Sequence, residues 1–193
     1  MDLNGKIFEL FWGFAHRSGI LDAGIIFFAK YLTYFLVIAL IIWLFSKDSR
    51  KRLFIFAELS IAAIVARGLI TEWIRFAYYH ARPFEALGFQ SLIPESGASF
   101  PSGHMTFLFA LGLIVWLYNR KFGYWFLSLS FVVGIARIAA GVHWPMDILG
   151  GLLVGALSAI FIHKLLKPYW ERLVKPKEKI VEIEEIDIIE IST

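Results

Sequence analysis

The stretch PSGHMTFLFALGLIVWLY, residues 101–118, joins a polar mouth to an apolar body. Pro101, Ser102 and Gly103 are residue types that open helices, and from Met105 onward only Thr106, Trp116 and Tyr118 carry a polar side-chain atom. Eighteen helical residues span about 27 Å, close to the roughly 30 Å hydrocarbon core of a bilayer. The pattern predicts a membrane-crossing helix whose first turn, with Gly103 allowing close backbone approach and free N–H groups at its end, faces an anion.

The rest of the chain agrees with that solvent. Of 193 residues, 59% are hydrophobic, 17% aromatic and only 18% charged, against about a quarter charged in soluble domains. The length accommodates one membrane domain of five or six helices. With no cysteine, disulfides, thiolate catalysis and cysteine metal sites are excluded. The pI near 9.1 comes from basic loops, and no nucleic-acid partner is expected.

Working outward, further spans are predicted at 23–45, 53–74, 123–140 and 145–166, giving an all-α polytopic membrane helical bundle with five clear spans. Residues 1–22 mix Phe8, Phe11, Trp12 and Phe14 with Lys6, Glu9, His16 and Arg17, which predicts an interfacial amphipathic helix. The organisation read from these patterns is an amphipathic segment at 1–22, a transmembrane domain at 23–168 and a charged cytoplasmic tail at 169–193. The end of that tail mixes isoleucine and valine with acidic residues without strict period.

Charge sets the orientation. Lys47, Arg50, Lys51 and Arg52, then Arg120 and Lys121, then Lys164, Lys167 and Arg172 fall on one side when five spans alternate. Basic short loops are cytoplasmic. The 75–100 connection and the 141–144 turn then meet on the opposite, extracytoplasmic face.

Three polar clusters gather on that face: Arg75-x6-Arg82-Pro83, Pro101-Ser102-Gly103-His104 and Arg137-x5-His143-x3-Asp147. Arg75 and Arg82 are two helical turns apart, so one continuous helix would aim both guanidiniums at neighbouring phosphate oxygens. Anchoring at lipid headgroups is the plainer reading of that pair. Ser102 reads equally as an ordinary N-cap, and His104 as an interfacial residue. His143 and Asp147 stand four apart, within reach on a helical face. A carboxylate bonded to one imidazole nitrogen sets the tautomer and leaves the other nitrogen as a nucleophile.

In order and together, these clusters resemble the membrane type-2 phosphatidic acid phosphatase family, whose pattern is Lys-x6-Arg-Pro, Pro-Ser-Gly-His and Ser-Arg-x5-His-x3-Asp. The resemblance covers residues 75–147. Arg75 stands where the family usually has lysine, and Ala136 where it usually has serine, which removes one phosphate hydrogen bond.

The resemblance implies a six-helix fold, with 1–22 as the sixth helix, and cofactor-free hydrolysis without a metal through a phosphohistidine. It makes His143 the nucleophile, Asp147 its orienting carboxylate, and His104 the acid and then base. Arg75, Arg82, Ser102, Gly103 and Arg137 become the phosphate ligands.

The expected partners are the bilayer and a lipid phosphate. Ala81-Arg82-Pro83-Phe84 and Phe100-Pro101-Ser102-Gly103-His104 resemble the bacterial undecaprenyl-diphosphate phosphatase branch, which implies a bacterial cytoplasmic membrane. Phosphatidylglycerol phosphate, phosphatidic acid and lipid A phosphate stand as alternative substrates. Three other classes also fit parts of the pattern: a metal centre of His104, His143 and Asp147, which three arginines disfavour; an anion transporter; and an inactive lipid-phosphate binder. Arg67 and Glu72, charges within a span, are expected to compensate each other or reach the arginine cluster.

Overall fold

Asp2, Ser18 and Asp48 each precede a helix and accept a backbone N–H through the side chain, at 2.9, 3.2 and 3.2 Å. These caps satisfy donors that a helix start leaves free. They open α1 (Leu3–Trp12), α2 (Gly19–Phe45) and α3 (Ser49–Ala77) in the computed structural model, which describes residues 2–174. A short α4 (Pro83–Leu87) follows, then α5 (Gly103–Tyr118), α6 (Arg120–Ala139) and α7 (Pro145–Leu173). Four helices, α2, α3, α6 and α7, are long and apolar enough to cross a membrane, and α5 is a shorter apolar helix of the bundle.

The helix expected across 1–22 occupies only Leu3–Trp12, because the chain turns at 13–18 and Ser18 starts the first span. Similarly, Asp48 starts the second span ahead of the expected residue 53. α7 continues past 166 to Leu173, so the expected start of the tail at 169 is still helical. Residues 175–193, which hold the acid and isoleucine pattern, lie outside the described residues.

α5 is the central element, packed between α6 and α7. It packs tightly on α7, where Gly151 and Gly155 replace side chains: a Cβ on Gly151 would lie 2.5 Å from the Ser102 carbonyl, and one on Gly155 would strike the Thr106 carbonyl. Leu108, Leu111, Ile114 and Val115 then bury against Leu59, Phe126, Ala159 and Ile162. The outward faces of the spans carry exposed Tyr34, Phe35, Ile42, Ile64, Leu157 and Phe161, as lipid-facing surfaces require.

Glu58, fully buried within α3, is partnered. Its carboxylate accepts from Tyr118 Oη at 2.5 Å and lies 2.7 Å from His163 Nδ1, tying α3, α5 and α7 together.

Two π-helical segments interrupt the first two spans, at Phe27–Tyr31 and Ile64–Thr71. The widened turns bring Ala29 and Arg67 against the polar end of the bundle. Long-range backbone bonds fasten the outer connection there: Ser99 N–H donates to His80 O at 2.8 Å, Leu92 N–H to Ala140 O at 3.0 Å and Ser102 N–H to Asp147 O at 2.9 Å. α1 lies across the same end, where Phe8 is buried among Trp12, Phe89 and Trp144.

Candidate active site

Pro145 opens α7, and Asp147 in its first turn caps it by accepting the Trp144 N–H at 2.7 Å. The same carboxylate oxygen lies 3.4 Å from His143 Nδ1 and accepts the Ser99 hydroxyl at 2.5 Å. Ser99 Oγ is also 3.3 Å from His143 Nδ1. His80 Nδ1 stands 3.3 Å from the other Asp147 oxygen. Asp147 is completely buried and His143 is 1% exposed. A carboxylate thus faces Nδ1, which leaves Nε2 as the nitrogen with a free lone pair.

Burial, reinforced by the charges of Arg137 and Arg82, pushes His143 down to about 4, against the pull of Asp147. The ring is neutral at physiological pH.

Beside it is a cavity of about 310 Å³ whose wall includes Arg67, Arg75, Arg82, Arg137, Glu95 and His104. Arg75 donates to Pro101 O at 2.9 Å, and its Nε is buried without a partner. Arg137 donates to Ala29 O at 3.2 Å and pairs with Glu95, while its own Nε is also unpartnered. His104 Nε2 is 3.4 Å from Arg137 Nη1. Buried donors without acceptors are costly, so these guanidinium groups suit a site that an anion fills.

Gly103 is matched to its neighbour: a Cβ there would lie 2.5 Å from Arg67 Nε, so the glycine lets this fourth guanidinium lie against the mouth of α5. Arg67 pairs with Glu72, as expected, and Glu72 also lies 3.7 Å from Arg75 Nη1.

Of the residues expected at the site, Arg75, Arg82, Gly103, His104, Arg137 and His143 line the cavity, Asp147 backs His143, and Ser102 is not part of the wall. Arg75 and Arg82 do not share a helix, because α3 ends at Ala77 and Arg82 sits in the extended N-cap position of α4. Arg82 is 2% exposed, and its donors reach Gly97 O, Val142 O and Ser96 O at 3.0, 2.9 and 3.2 Å. It clamps the 96–97 loop to the 142 turn as well as lining the cavity. His143 precedes α7 rather than riding on it, so its contact with Asp147 depends on the cap. Ser102 occupies the N-cap of α5 but makes no side-chain cap bond. Its hydroxyl is buried and unpartnered.

Ala136 lines a separate apolar groove with Phe11, Phe14 and Ile25 rather than the polar cavity. Among the described residues, no group of three or more His, Asp or Glu side chains is arranged to hold a metal ion.

Ser99, His80 and Glu95 were not marked as site residues by the sequence. Ser99 stands three residues ahead of Ser102, and its contacts with His143 and with Asp147, 48 positions away, distinguish it from a loop serine.

Charge within a bilayer protein is retained for a task, and here four guanidiniums line one cavity against a neutral imidazole. The helical bundle and this cavity mark a membrane-embedded phosphatase. The chain belongs to the PAP2 superfamily, whose family model matches residues 55–171, from within α3 to near the end of α7.

Over 185 residues it is 32% identical to undecaprenyl-diphosphatase BcrC of Bacillus subtilis (strain 168), covering 93% of this chain and 94% of that protein. It is 31% identical over 193 residues to a Bacillus licheniformis protein named bacitracin transport permease protein BcrC, covering 92% and 94%. The crystal structure of Aquifex aeolicus LpxE superposes with a TM-score of 0.68 at 26% identity, over 85% of this chain and 96% of that one. The protein is a multi-pass membrane lipid phosphatase of the PAP2 type.

Proposed function

We propose that the protein hydrolyses undecaprenyl diphosphate to undecaprenyl phosphate and inorganic phosphate, without a metal, at the extracytoplasmic face of a bacterial cytoplasmic membrane. The observation that carries the chemistry is the pair of unpartnered guanidinium Nε donors, on Arg75 and Arg137, in a cavity that also contains His143. Such donors favour an oxygen-rich anion as their partner, and the neutral imidazole supplies a nucleophile beside it. The full-length similarity to a protein named undecaprenyl-diphosphatase supports the substrate.

In this reading the terminal phosphate settles among Arg75, Arg82 and Arg137, near Ser102 and the N–H groups at Gly103. His143 Nε2 attacks phosphorus in line as the bond to the bridging oxygen breaks, and undecaprenyl phosphate departs. His104 takes up a proton as the phosphate dianion settles beside it and gives that proton to the departing oxygen. Asp147 compensates the charge that develops on the imidazole and keeps Nδ1 as the hydrogen-bonded nitrogen. The guanidiniums stabilise the equatorial oxygens throughout. His104 then takes a proton from water as the water attacks the phosphohistidine, which restores His143 and releases inorganic phosphate. A substrate whose tail remains in the bilayer presents its headgroup to this cavity, whose wall joins Thr33 of α2, Arg67 of α3 and Phe107 of α5.

The test is phosphate release by the purified protein from undecaprenyl diphosphate, phosphatidic acid and phosphatidylglycerol phosphate in matched micelles. Undecaprenyl diphosphate should have the highest kcat/KM. Preference for a glycerolipid would reassign the substrate and keep the histidine chemistry. Transport, which the name of the Bacillus licheniformis relative raises, predicts anion flux across vesicles without phosphate release.

A further inference from the structure

The cavity assigned to the phosphate in this reading already holds a carboxylate. Glu95, in the connection between α4 and α5, pairs with Arg137 through Oε1 and lies 3.6 Å from Arg82 Nη2 through Oε2, so one carboxylate spans two of the guanidiniums expected to hold phosphate. We propose that Glu95 is a built-in competitor of the substrate phosphate, seated on Arg82 and Arg137 in the resting site and displaced when a phosphate binds. This rests on the phosphatase reading and adds a selectivity device to it.

The surroundings identify which partner moves. Arg82 is anchored by three backbone carbonyls, and Arg137 by the Ala29 carbonyl, with both side chains 2% exposed. The Glu95 side chain is 24% exposed, and its ion pairs among the described residues are with these two arginines. Because Arg82 also clamps Ser96 O and Gly97 O, the backbone beside Glu95 is held, and rotation of the glutamate side chain is the simplest way to clear the seat.

A fixed pair of cations with a swinging carboxylate ranks ligands by charge. A phosphodiester headgroup carries a single charge and offers two free oxygens, so it gains little by displacing a carboxylate that already neutralises the pair. A terminal phosphate carries up to two charges on three oxygens and gains more. Glu95 thereby protects the site from the phosphodiester lipids that surround it and leaves it open to terminal phosphates.

Inorganic phosphate binding to the purified full-length protein, measured by calorimetry, tests this directly. Glu95→Gln keeps the shape and removes the charge, and should bind phosphate about tenfold more tightly than the parent, a change of about 1.4 kcal/mol. Phosphatidylglycerol added to the micelles should inhibit the variant more strongly than the parent. A folded variant with equal or weaker phosphate affinity overturns the proposal. The unmodified protein gives a second measurement that does not depend on the variant folding: saturating vanadate should increase carbodiimide-driven labelling of Glu95, read by peptide mass spectrometry, and unchanged or reduced labelling overturns it. A parent protein that neither binds phosphate nor hydrolyses any lipid phosphate would sink the phosphatase reading and this proposal with it. Phosphate binding that is present but indifferent to Glu95→Gln sinks the proposal alone.

Discussion

The Ser99 hydroxyl donates to Asp147 Oδ2 at 2.5 Å, on the same carboxylate oxygen that faces His143. A serine ahead of the α5 helix thereby helps aim the carboxylate at the mouth of α7. Ser99→Ala should lower kcat by roughly 10- to 100-fold, the cost of losing one hydrogen bond to a buried charged group, with KM nearly unchanged. An unaltered kcat in a steady-state assay would remove Ser99 from the support of the site.

His143→Ala should lose at least about three orders of magnitude in phosphate release while inserting and folding normally. Asp147→Asn should be impaired by roughly 10⁴-fold if the wrong tautomer is as damaging as in serine proteases. Reactions quenched in alkaline detergent, with the label on the terminal phosphate, should contain a phosphohistidine in the parent and none in His143→Ala. Activity of either variant within tenfold of the parent would contradict the assignment.

Burial holds His143 near 4, so it should not take up a proton between pH 8 and 5. With histidine-selective nitrogen labelling, its resonances, assigned by their loss in His143→Gln, should stay in the neutral form across that range. A midpoint near the ordinary 6.5 would show a solvated ring. The stability consequence has a definite sign: the folded-state value is depressed, so the unfolded chain takes the proton first. The residue costs nothing above pH 6.5 and withdraws stability increasingly as pH falls from 6.5 toward 4.

Phosphate release should continue unchanged in excess EDTA, and vanadate should inhibit as a mimic of five-coordinate phosphorus. Activity abolished by EDTA and restored by a divalent ion would instead assign the histidines to a metal.

Because the chain has no cysteine, single cysteines report orientation cleanly. Leu87→Cys, at the exposed end of the short helix α4, should react with an impermeant thiol reagent in intact cells after outer-membrane permeabilisation if needed, and Ser49→Cys should not. Labelling at residue 49 alone would reverse the topology and place the cavity in the cytoplasm.

The amino-acid sequence by itself determined the membrane class, the five apolar segments, the three polar clusters and the need of Arg67 and Glu72 for partners, either each other or the arginine cluster. These are local properties: hydropathy integrates over about twenty neighbouring residues, and charges five positions apart in one helix have few places to go. The tertiary structure decided which loop residues join the site and how. Arg75 and Arg82 converge from separate elements because α3 ends at Ala77, which two-turn spacing does not foresee. Ser99 meets Asp147, and Glu95 meets Arg137 across 42 positions, because the outer connection is bonded to the 140–147 turn. A short polar side chain has no periodicity to announce its partner. Its role is set by the backbone bonds that bring two distant loops together, and only the assembled bundle forms those.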